Sequence, residues 1–297
     1  TEKRKILWIE LKKIMFKKTL IAIACIVGIN QCAMAQHPML RPSLKDTCTL
    51  WLNNGNRQIY RVINRPGTFT GKQPIAIISH GFNGTHYFAF DYVNQLAEMG
   101  YMTYCFDFPC GSIRSRSDNN TMNMSILDET DDLCAIVDYF RNQPYVDTDN
   151  IVLWGESQGG LVSALAAARL KDEVCKLVMF YPALCIPDNW NERYPRLEDI
   201  PDTTTLWNIK MGRRFFEEIR DMKVFDLITE YSGPVLIVQG DADRIVSIND
   251  SRKASIKYAN ARLHLIRRAG HGFKPHERKE ALEQVIPFLK GEKKPYR

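Results

Sequence analysis

The sequence predicts an α/β fold: a doubly wound, mostly parallel β-sheet with helices on both faces and an inserted cap. From residue 74 onward, short apolar runs alternate with stretches of helical periodicity, which is the pattern of strands joined by crossover helices. Several runs, such as PIAIISHG at 74–81, are continuously apolar, as strands buried on both faces are. A chain of 297 residues accommodates one large domain of this kind.

The predicted elements begin with an antiparallel hairpin over residues 48–63, where two alternating runs flank Asn53-Asn54-Gly55-Asn56. Further strands are predicted at 74–81, 101–108, 151–154, 176–183, 234–241 and 261–270. Helices are predicted at 87–99, 125–143, directly after Ser157, near 249–259 and at 275–290. In such sheets the reactive side chains lie at the carboxyl ends of the strands, so we expect the functional residues in the loops there.

Residues 184–230, here called the cap segment, interrupt this alternation, because a single helix would suffice between the flanking strands. We interpret the segment as a cap inserted in a core of residues 36–183 and 231–297. A solvated decoration with its own small core is the alternative. Six aromatic residues of the segment are candidates to face a substrate: Trp190, Tyr194, Trp207, Phe215, Phe216 and Phe225.

Residues 1–35 are predicted to be an N-terminal extension followed by a signal peptide. Lys17 and Lys18 precede an apolar stretch at 19–29 that is too short to span a bilayer, and Ala33-Met34-Ala35 fits a signal-peptidase site. We expect cleavage after Ala35, export to the periplasm or the medium, and no stable membrane insertion afterwards; an uncleaved anchor is the alternative. Beyond this segment 33 basic and 32 acidic residues remain, a balance that argues against a nucleic-acid partner.

Six cysteines lie beyond residue 35, without the paired spacing of a zinc site. Cys134 and Cys175 lie in apolar runs, so we expect buried thiols. Cys105 and Cys110 are close enough in sequence to pair across a loop, and export would permit that disulfide. The sequence leaves this pairing open.

The motif Gly155-Glu156-Ser157-Gln158-Gly159 fits G-x-S-x-G and lies between the apolar run 151–154 and the helix-forming stretch LVSALAAARL. A strand-to-helix turn of this kind holds the serine in a tight backbone corner, with its hydroxyl exposed at the top of the sheet. The glycines keep side chains out of that corner. Ser157 is therefore the candidate nucleophile.

A serine hydroxyl needs a base to take its proton, and the base needs an acid to hold its tautomer; in this sheet type the chain order is serine, acid, histidine. Asp243, in VQGDADRIV, is the predicted acid from its spacing to the preceding glycine, with Asp241 as the alternative. His271, in a Gly-His-Gly loop after the last predicted strand, is the predicted base. His264 lies within a strand pattern and His276 on the following helix, so we expect neither to reach the serine.

Acyl transfer also needs N–H donors that face the developing oxyanion. The residue after the nucleophile, Gln158, supplies one backbone N–H. The loop SHGFNGTH at 79–86 is predicted to supply the second, from Phe82. His80 precedes the serine in the chain, and we expect it to brace this loop rather than act as the base.

Four separated motifs, HGF at 80–82, GESQGG at 155–160, GDADRIV at 240–246 and GHGF at 270–273, resemble the α/β-hydrolase superfamily. Within it, the chain is similar to the bacterial cinnamoyl (feruloyl) esterases over about residues 50–290. The resemblance implies a serine esterase with Ser157, Asp243 and His271 as its triad and with no metal or organic cofactor. One departure is PCGSIRSRSD at 109–118, where related esterases show a glycine-rich turn. We expect this basic loop near the pocket, with a bearing on specificity.

The expected function is that of an exported serine carboxylesterase that cleaves small esters, or hydroxycinnamoyl or acetyl esters of plant polysaccharide, through an acyl-enzyme. A serine peptidase of the prolyl-oligopeptidase type shares G-x-S-x-G-G and the triad order, but such peptidases normally carry a propeller for which we expect no room in 297 residues. A noncatalytic binding protein of the same fold is a further alternative. Such a protein would normally have lost a triad residue or an oxyanion glycine, and this chain keeps them all.

Overall fold

The computed structural model describes residues 44–66 and 71–292, with side chains from residue 51 onward. The predicted extension and signal peptide at 1–35 lie outside the described residues. No helix within the described residues is long and apolar enough to cross a bilayer.

The described part of the chain forms an eight-stranded sheet in the order β1-β2-β4-β3-β5-β6-β9-β10 and a separate two-stranded hairpin, β7-β8. The strands are β1 Leu44–Asn54, β2 Arg57–Pro66, β3 Gln73–Ser79, β4 Met102–Phe106, β5 Val146–Glu156, β6 Lys176–Phe180, β7 Thr203–Leu206, β8 Ile209–Gly212, β9 Val235–Gly240 and β10 Ala261–Ile266. The pairings β1–β2 and β2–β4 are antiparallel, and the other pairings of the large sheet are parallel. The predicted doubly wound, mostly parallel sheet is thus confirmed.

Helices cover both faces of this sheet. They are α1 Phe90–Glu98, α2 Ile126–Arg141, α3 Gln158–Leu170, α4 Ile186–Arg193, α5 Arg213–Ile219, α6 Val224–Leu227, α7 Ile248–Lys257 and α8 Pro275–Leu289. Alternate residues of β3 show the two layers: Ala76 and Ile78 pack with residues of α1 and α8, whereas Ile75 and Ile77 pack with residues of α2 and α3. A strand with apolar side chains on both faces is what produces the continuous apolar run in the sequence.

The turn of the first hairpin is tighter than its four polar residues suggest. Asn54 pairs with Arg57, so the loop has two residues, and Gly55 adopts a left-handed φ of 61°. Glycine takes this conformation without the steric cost that a Cβ would bring.

The cap segment contains α4, the β7–β8 hairpin, α5 and α6. The hairpin was not predicted from the sequence. Its two turn residues, Trp207 (φ 46°) and Asn208 (φ 64°), are both left-handed, as a two-residue type I′ turn requires. Tryptophan at such a position is not a turn signal, and strands of four residues are too short to show an alternating pattern.

Cys105 and Cys110, whose pairing the sequence left open, are both free thiols in the structure. Cys105 points from β4 into the layer that contains α1, and burial raises the pKa of its thiol to about 12. Cys134 is buried as expected, but Cys175 is only half-buried because it precedes β6 at the rim of the sheet.

Candidate active site

Ser157 lies in the sharp turn between β5 and α3. Its backbone adopts φ 51° and ψ −118°, a conformation that non-glycine residues rarely take and that surrounding contacts must enforce. Its N–H donates to the carbonyl of Phe180 at 3.0 Å, and its own carbonyl accepts the N–H of Ala183 at 2.9 Å. These two bonds, to the last residue of β6 and to the loop that follows it, hold the turn in place.

Glycines make the turn sterically possible. A Cβ on Gly155 would overlap the carbonyl of Gly159, and a Cβ on Gly159 would overlap the carbonyls of Ser79 and His80. The first turn of α3 therefore packs directly against the end of β3. The G-x-S-x-G spacing is a consequence of this close approach.

His271 connects the hydroxyl of Ser157 to a carboxylate. Its Nε2 lies 3.0 Å from the Oγ of Ser157, and its Nδ1 lies 2.8 Å from Oδ2 of Asp243. Because the carboxylate accepts the Nδ1–H, the Nε2 lone pair faces the serine hydroxyl. The structure thus brings the three side chains predicted from the sequence together, although 114 residues separate Ser157 from His271.

Asp243 is held as a carboxylate. Burial alone would raise its pKa, but the hydrogen bond from His271 and the N–H groups of Val246 and Ile245 outweigh burial and lower its pKa below the usual range. The two N–H groups donate to Oδ1 at 3.0 and 2.8 Å, and Gln239 Nε2 donates to Oδ2 at 2.8 Å. With this many donors, the carboxylate is fixed in orientation as well as in charge.

The other candidates do not reach Ser157. Asp241 accepts the backbone N–H of Arg268 at 2.5 Å and so ties two loops together. His264 lies 3.2 Å from Glu280, and the side chain of His276 is 77% exposed. The N–H of Phe108 donates to Nε2 of His80, whose Nδ1–H therefore faces the carbonyl of Gly81. Burial lowers the pKa of His80, so it remains a neutral brace of its loop, as expected.

The two predicted oxyanion donors flank Ser157. A Cβ on Gly81 would lie 3.1 Å from the Cβ of Ser157, so the loop that carries Phe82 passes directly beside the hydroxyl. The backbone N–H of Gln158 is at the first turn of α3, where no intrahelical acceptor exists. Within the described residues, neither N–H group donates to another protein atom. Both are available to an acceptor in the cavity.

Two buried carboxyl groups next to the site were not found from the sequence. Glu156 accepts the hydroxyls of Tyr92 and Tyr181, each at 2.5 Å, and the ring of Tyr181 contacts the ring of His271 edge-on with centroids 4.9 Å apart. Burial raises the pKa of Glu156 to about 7, against the opposing effect of the two hydroxyls. The signal that could have revealed it is a glutamate at the end of an apolar run, because a carboxyl group buried there needs hydrogen-bond partners.

The second carboxyl group is Glu129 of α2. Its two oxygens accept Nε2 of Gln158 at 3.0 and 2.9 Å. Burial raises the pKa of Glu129 to about 8. Glu129 therefore holds the side chain of the same residue whose backbone N–H is a predicted oxyanion donor.

A cavity of about 260 Å³ opens beside Ser157. Its walls are largely apolar and aromatic, with the rings of Phe82, Trp190, Trp207 and Phe215. Three of the six aromatic residues of the cap segment thus line the cavity. Tyr194 and Phe216 pack against Trp190, and Phe225 lies elsewhere, beneath Lys253. This volume lies just below the usual range for ligand sites of roughly 300–1,000 Å³.

The loop 109–118 packs against the segment that carries Phe82, where the carbonyl of Gly111 accepts the N–H of Asn83, but it is not part of the cavity wall. No cavity-lining residue of the described chain comes from this loop. Ser112 and the N–H of Ile113 instead bond to the side chain of Asn83, and the N–H of Arg116 donates to Asp107. The loop therefore supports the segment that carries Phe82 from outside, and its polar groups are used within the protein.

No cluster of three metal-binding side chains occurs among the residues of 44–66 and 71–292 whose side chains are described. The described site is one of hydroxyl, imidazole and carboxylate groups with backbone donors. Such an arrangement activates a hydroxyl toward a carbonyl carbon.

Comparisons with known proteins agree with this fold. The structure is similar to that of Est1E from Butyrivibrio proteoclasticus with ferulic acid bound, at 27% identity and a TM-score of 0.74, covering 82% of this chain and 98% of that chain. It also shares its fold with acetyl xylan esterase 1 from Thermoanaerobacterium sp. JW/SL YS485, at 20% identity and a TM-score of 0.63, covering 87% of this chain and 88% of that one. These neighbours confirm the α/β-hydrolase fold.

A curated relative, an uncharacterized 31.7 kDa protein in the traX-finO intergenic region of Escherichia coli, is 28% identical over 109 residues, which is 36% of each chain. The match thus spans about a third of that relative's length. The model of the prolyl oligopeptidase family matches residues 88–294, a range that contains Ser157, Asp243 and His271. Because this match covers well over half of the sequence, the chain belongs to the prolyl oligopeptidase family.

Proposed function

We propose that this protein is a serine hydrolase that cleaves carboxylic esters through an acyl-enzyme. The observation that carries the proposal is the chain of contacts Ser157–His271–Asp243, with 3.0 Å from hydroxyl to imidazole and 2.8 Å from imidazole to carboxylate. Both distances lie within hydrogen-bond reach before any substrate is bound.

In the proposed reaction, Nε2 of His271 takes the proton of Ser157 as Oγ attacks the ester carbonyl carbon. The imidazolium that forms is stabilised by Asp243, and it then gives its proton to the departing alcohol. Water next attacks the acyl-serine, with His271 again as the base, and the acid is released. In acylation Nε2 thus carries the proton of Ser157 to the departing alcohol, and in deacylation it carries a proton of water back to Oγ of Ser157.

The N–H groups of Phe82 and Gln158 are the proposed donors to the oxyanion of both tetrahedral intermediates. Losing one such donor typically raises the barrier by roughly 3–4 kcal/mol. Phe82 depends on the brace of His80, and Gln158 depends on its position at the start of α3. Glu129 fixes the side chain of Gln158 through the bonds to its Nε2.

The proposed substrates are hydroxycinnamoyl or acetyl esters of plant polysaccharide. Two observations support this finer proposal: aromatic rings line a cavity of about 260 Å³, and the chain is 27% identical to a protein that binds ferulic acid. The size fits one substituted ring or a short acyl chain better than a long fatty acyl chain.

The first test is turnover of p-nitrophenyl acetate by the wild type and by Ser157→Ala. The matched control is Ser255→Ala, at a half-buried serine of α7 that does not line the cavity. We expect Ser157→Ala to fall to the rate of buffer and Ser255→Ala to retain wild-type turnover. Wild-type turnover no faster than that of Ser157→Ala would support the alternative of a noncatalytic binding protein. Labelling with a fluorophosphonate, followed by mass spectrometry, should place the adduct on Ser157.

The second test is a panel of methyl ferulate, acetylated xylan and short p-nitrophenyl esters. Cleavage of methyl ferulate at a kcat/KM well above that of p-nitrophenyl acetate would support the hydroxycinnamoyl proposal. Cleavage of acetyl esters with methyl ferulate untouched would contradict it and leave an acetyl esterase.

A serine peptidase is the second candidate, because the matched family is named for an oligopeptidase. The same Ser157 and His271 would attack a peptide carbonyl. Peptidyl-proline p-nitroanilides separate the two candidates, since an esterase leaves the anilide bond intact. Anilide cleavage at a kcat/KM comparable to that of the esters would favour the peptidase.

We further propose export, on the basis of the basic pair, the apolar stretch 19–29 and the Ala33-Met34-Ala35 motif. N-terminal sequencing of protein secreted by a bacterial host carrying this chain tests it. The expected first residue is Gln36, and an intact N-terminus in the cytoplasm would contradict the proposal.

A further inference from the structure

The cavity beside Ser157 contains one charged side chain among the described residues that line it, and that residue is Arg193. No aspartate or glutamate lines the cavity there. Arg193 is itself exposed, so it places a positive charge on the solvent-facing side of the cavity, next to largely apolar walls.

Helix α4 presents this charge through its periodicity. Ile186, Asn189, Trp190 and Arg193 all line the cavity, at the i, i+3, i+4 and i+7 spacing of one helix face. Asp188 and Glu192 are the acidic residues of the same helix. At about 100° of rotation per residue, both lie about 100° or more from the centre of that face. The helix thus directs its cation toward the cavity and its carboxylates away from it.

Arg193 lacks the partners that the other arginines of the cap segment have. Four of the five arginines at 184–230 donate to protein oxygens: Arg196 to Asp199, Arg213 to Glu217, Arg214 to Glu218 and Asp128, and Arg220 to backbone carbonyls. Within the described residues, Arg193 has neither a carboxylate nor any other hydrogen-bond acceptor, and its contacts are with two aromatic rings.

Those rings form a platform for the guanidinium. Its carbon lies 5.4 Å from the ring centroid of Trp190 and 5.6 Å from that of Tyr194, and the two rings are nearly parallel, with 10° between their planes. Cation–π contacts restrict the position of a guanidinium without neutralising its charge. The five N–H donors remain free to bind a planar anion.

We infer that Arg193 binds a carboxylate on the substrate, so that the preferred esters carry a negative charge at a distance from the scissile bond. The inference rests on the proposed function, since it assigns a substrate class to the same cavity. A guanidinium pairs with a carboxylate through two parallel N–H···O bonds, which favours this anion over a neutral polar group. The carboxylate can belong to the acyl group or to the alcohol, and the two cases are separated below.

The test compares kcat/KM for matched neutral and anionic esters. On the acyl side the pair is p-nitrophenyl butyrate and p-nitrophenyl hemisuccinate, extended to hexanoate and hemiadipate. On the alcohol side the pair is 4-acetoxyacetophenone and 4-acetoxybenzoate. Ser157→Ala gives the background for each ester, which matters because hemisuccinates also hydrolyse through intramolecular attack.

The enzymes are the wild type, Arg193→Gln, Arg193→Lys and Arg193→Glu, with Arg196→Gln as a control that removes the same charge from the same segment. In one of the two arms, we expect the wild type to prefer the anionic ester over its neutral partner by about 2- to 5-fold, the range of an ion pair at an exposed arginine. Arg193→Gln should abolish the preference, Arg193→Lys should keep part of it, and Arg193→Glu should invert it. The readout is the anionic-to-neutral ratio within each variant, so a change in rate shared by both esters does not count toward the inference.

The arm that shows the preference identifies the side of the ester that carries the carboxylate, and the chain length with the largest preference measures its distance. Equal anionic-to-neutral ratios in the wild type and in Arg193→Gln, in both arms, would overturn the inference. Failure of the proposed function gives a different result, because the wild type would then cleave none of the neutral esters either. Thermal unfolding of each variant checks that a lost preference does not reflect a lost fold.

Discussion

Asp241 and Asp243 lie two residues apart after β9, and the structure gives them different tasks. Asp243 accepts the Nδ1–H of His271 at 2.8 Å, whereas Asp241 accepts a backbone N–H of the neighbouring loop. The carboxylate of Asp243 holds the tautomer that leaves Nε2 unprotonated, and an amide in its place does not.

We therefore expect Asp243→Asn to lower kcat for p-nitrophenyl acetate by about 1,000- to 10,000-fold, as loss of the correct tautomer does in serine hydrolases. Asp241→Asn keeps an acceptor for the N–H of Arg268 and should retain wild-type kcat. A similar loss in the two variants would contradict the assignment of the acid.

Single residues were predictable where a backbone rule positions them. Ser157, Asp243 and His271 each follow a predicted strand at the edge where reactive loops meet, so their order and spacing were sufficient. Glu156 was not recognised as a functional neighbour, because its partners Tyr92 and Tyr181 come from distant parts of the chain. Only the folded sheet brings those hydroxyls to one carboxyl group.

At the scale of elements, the junction of β5 and α3 depends on residues that lack a side chain. We expect Gly155→Ala to lower the free energy of unfolding by about 3 kcal/mol or more, because its methyl group would overlap the carbonyl of Gly159 and force the turn apart. Urea unfolding measures the loss. Gly270→Ala is the matched control, since a Cβ there meets nothing within 4 Å; equal destabilisation by both substitutions would contradict this account.

The β7–β8 hairpin holds Trp207 over the cavity in a left-handed conformation, with its ring 5.8 Å from that of Phe82. We expect Trp207→Gly to change the free energy of unfolding by less than about 1 kcal/mol, because relief of a left-handed residue, roughly 1–2 kcal/mol, offsets the lost ring contact. The kcat/KM for methyl ferulate should nevertheless fall several-fold relative to that for p-nitrophenyl acetate.

Asn208→Gly provides the control for this hairpin, because it relieves the same backbone strain and leaves the ring in place. Its ratio of kcat/KM values for the two esters should equal that of the wild type. If Trp207→Gly left the ratio unchanged, Trp207 would be a surface residue of the hairpin and not a wall of the cavity. The hairpin itself escaped prediction because tryptophan is not a turn signal and each of its strands has only four residues.

For the whole molecule, the sheet was predictable because each buried strand must be apolar on both faces and each crossover must be amphipathic. The predicted strands and helices correspond to the observed ones, with ends that differ by a few residues. Some predicted strands extend into the loops at the carboxyl edge of the sheet, because these loops are also apolar where they pack around Ser157. The role of the loop 109–118 was not predictable, because its polar side chains bond to Asn83 and Asp107 across the fold.

The two buried carboxyl groups around the site give the whole protein a pH dependence of known sign. Burial raises the pKa of Glu156 to about 7 and that of Glu129 to about 8, whereas an unfolded glutamate has a pKa of about 4.3. Between these values the folded state binds more protons than the unfolded state, so the free energy of unfolding decreases as the pH rises. The contribution of these two carboxyl groups to the free energy of unfolding is fully present below about pH 4.3, and it is lost as the pH rises through about 7 to 8. Asp243 has a lowered pKa and acts in the opposite sense only at more acidic pH.

We therefore expect urea unfolding of the wild type to show a free energy that falls from pH 5 to pH 8 and then levels off. Glu156→Gln and Glu129→Gln cannot ionise at these positions, so each should flatten the slope, whatever its effect on absolute stability. Glu98→Gln, at an exposed position of α1, should leave the slope unchanged. Two outcomes would contradict this account: a wild-type free energy of unfolding that rises from pH 5 to pH 8, or a slope that neither buried substitution alters. Either would show that the two carboxyl groups ionise freely in the folded protein.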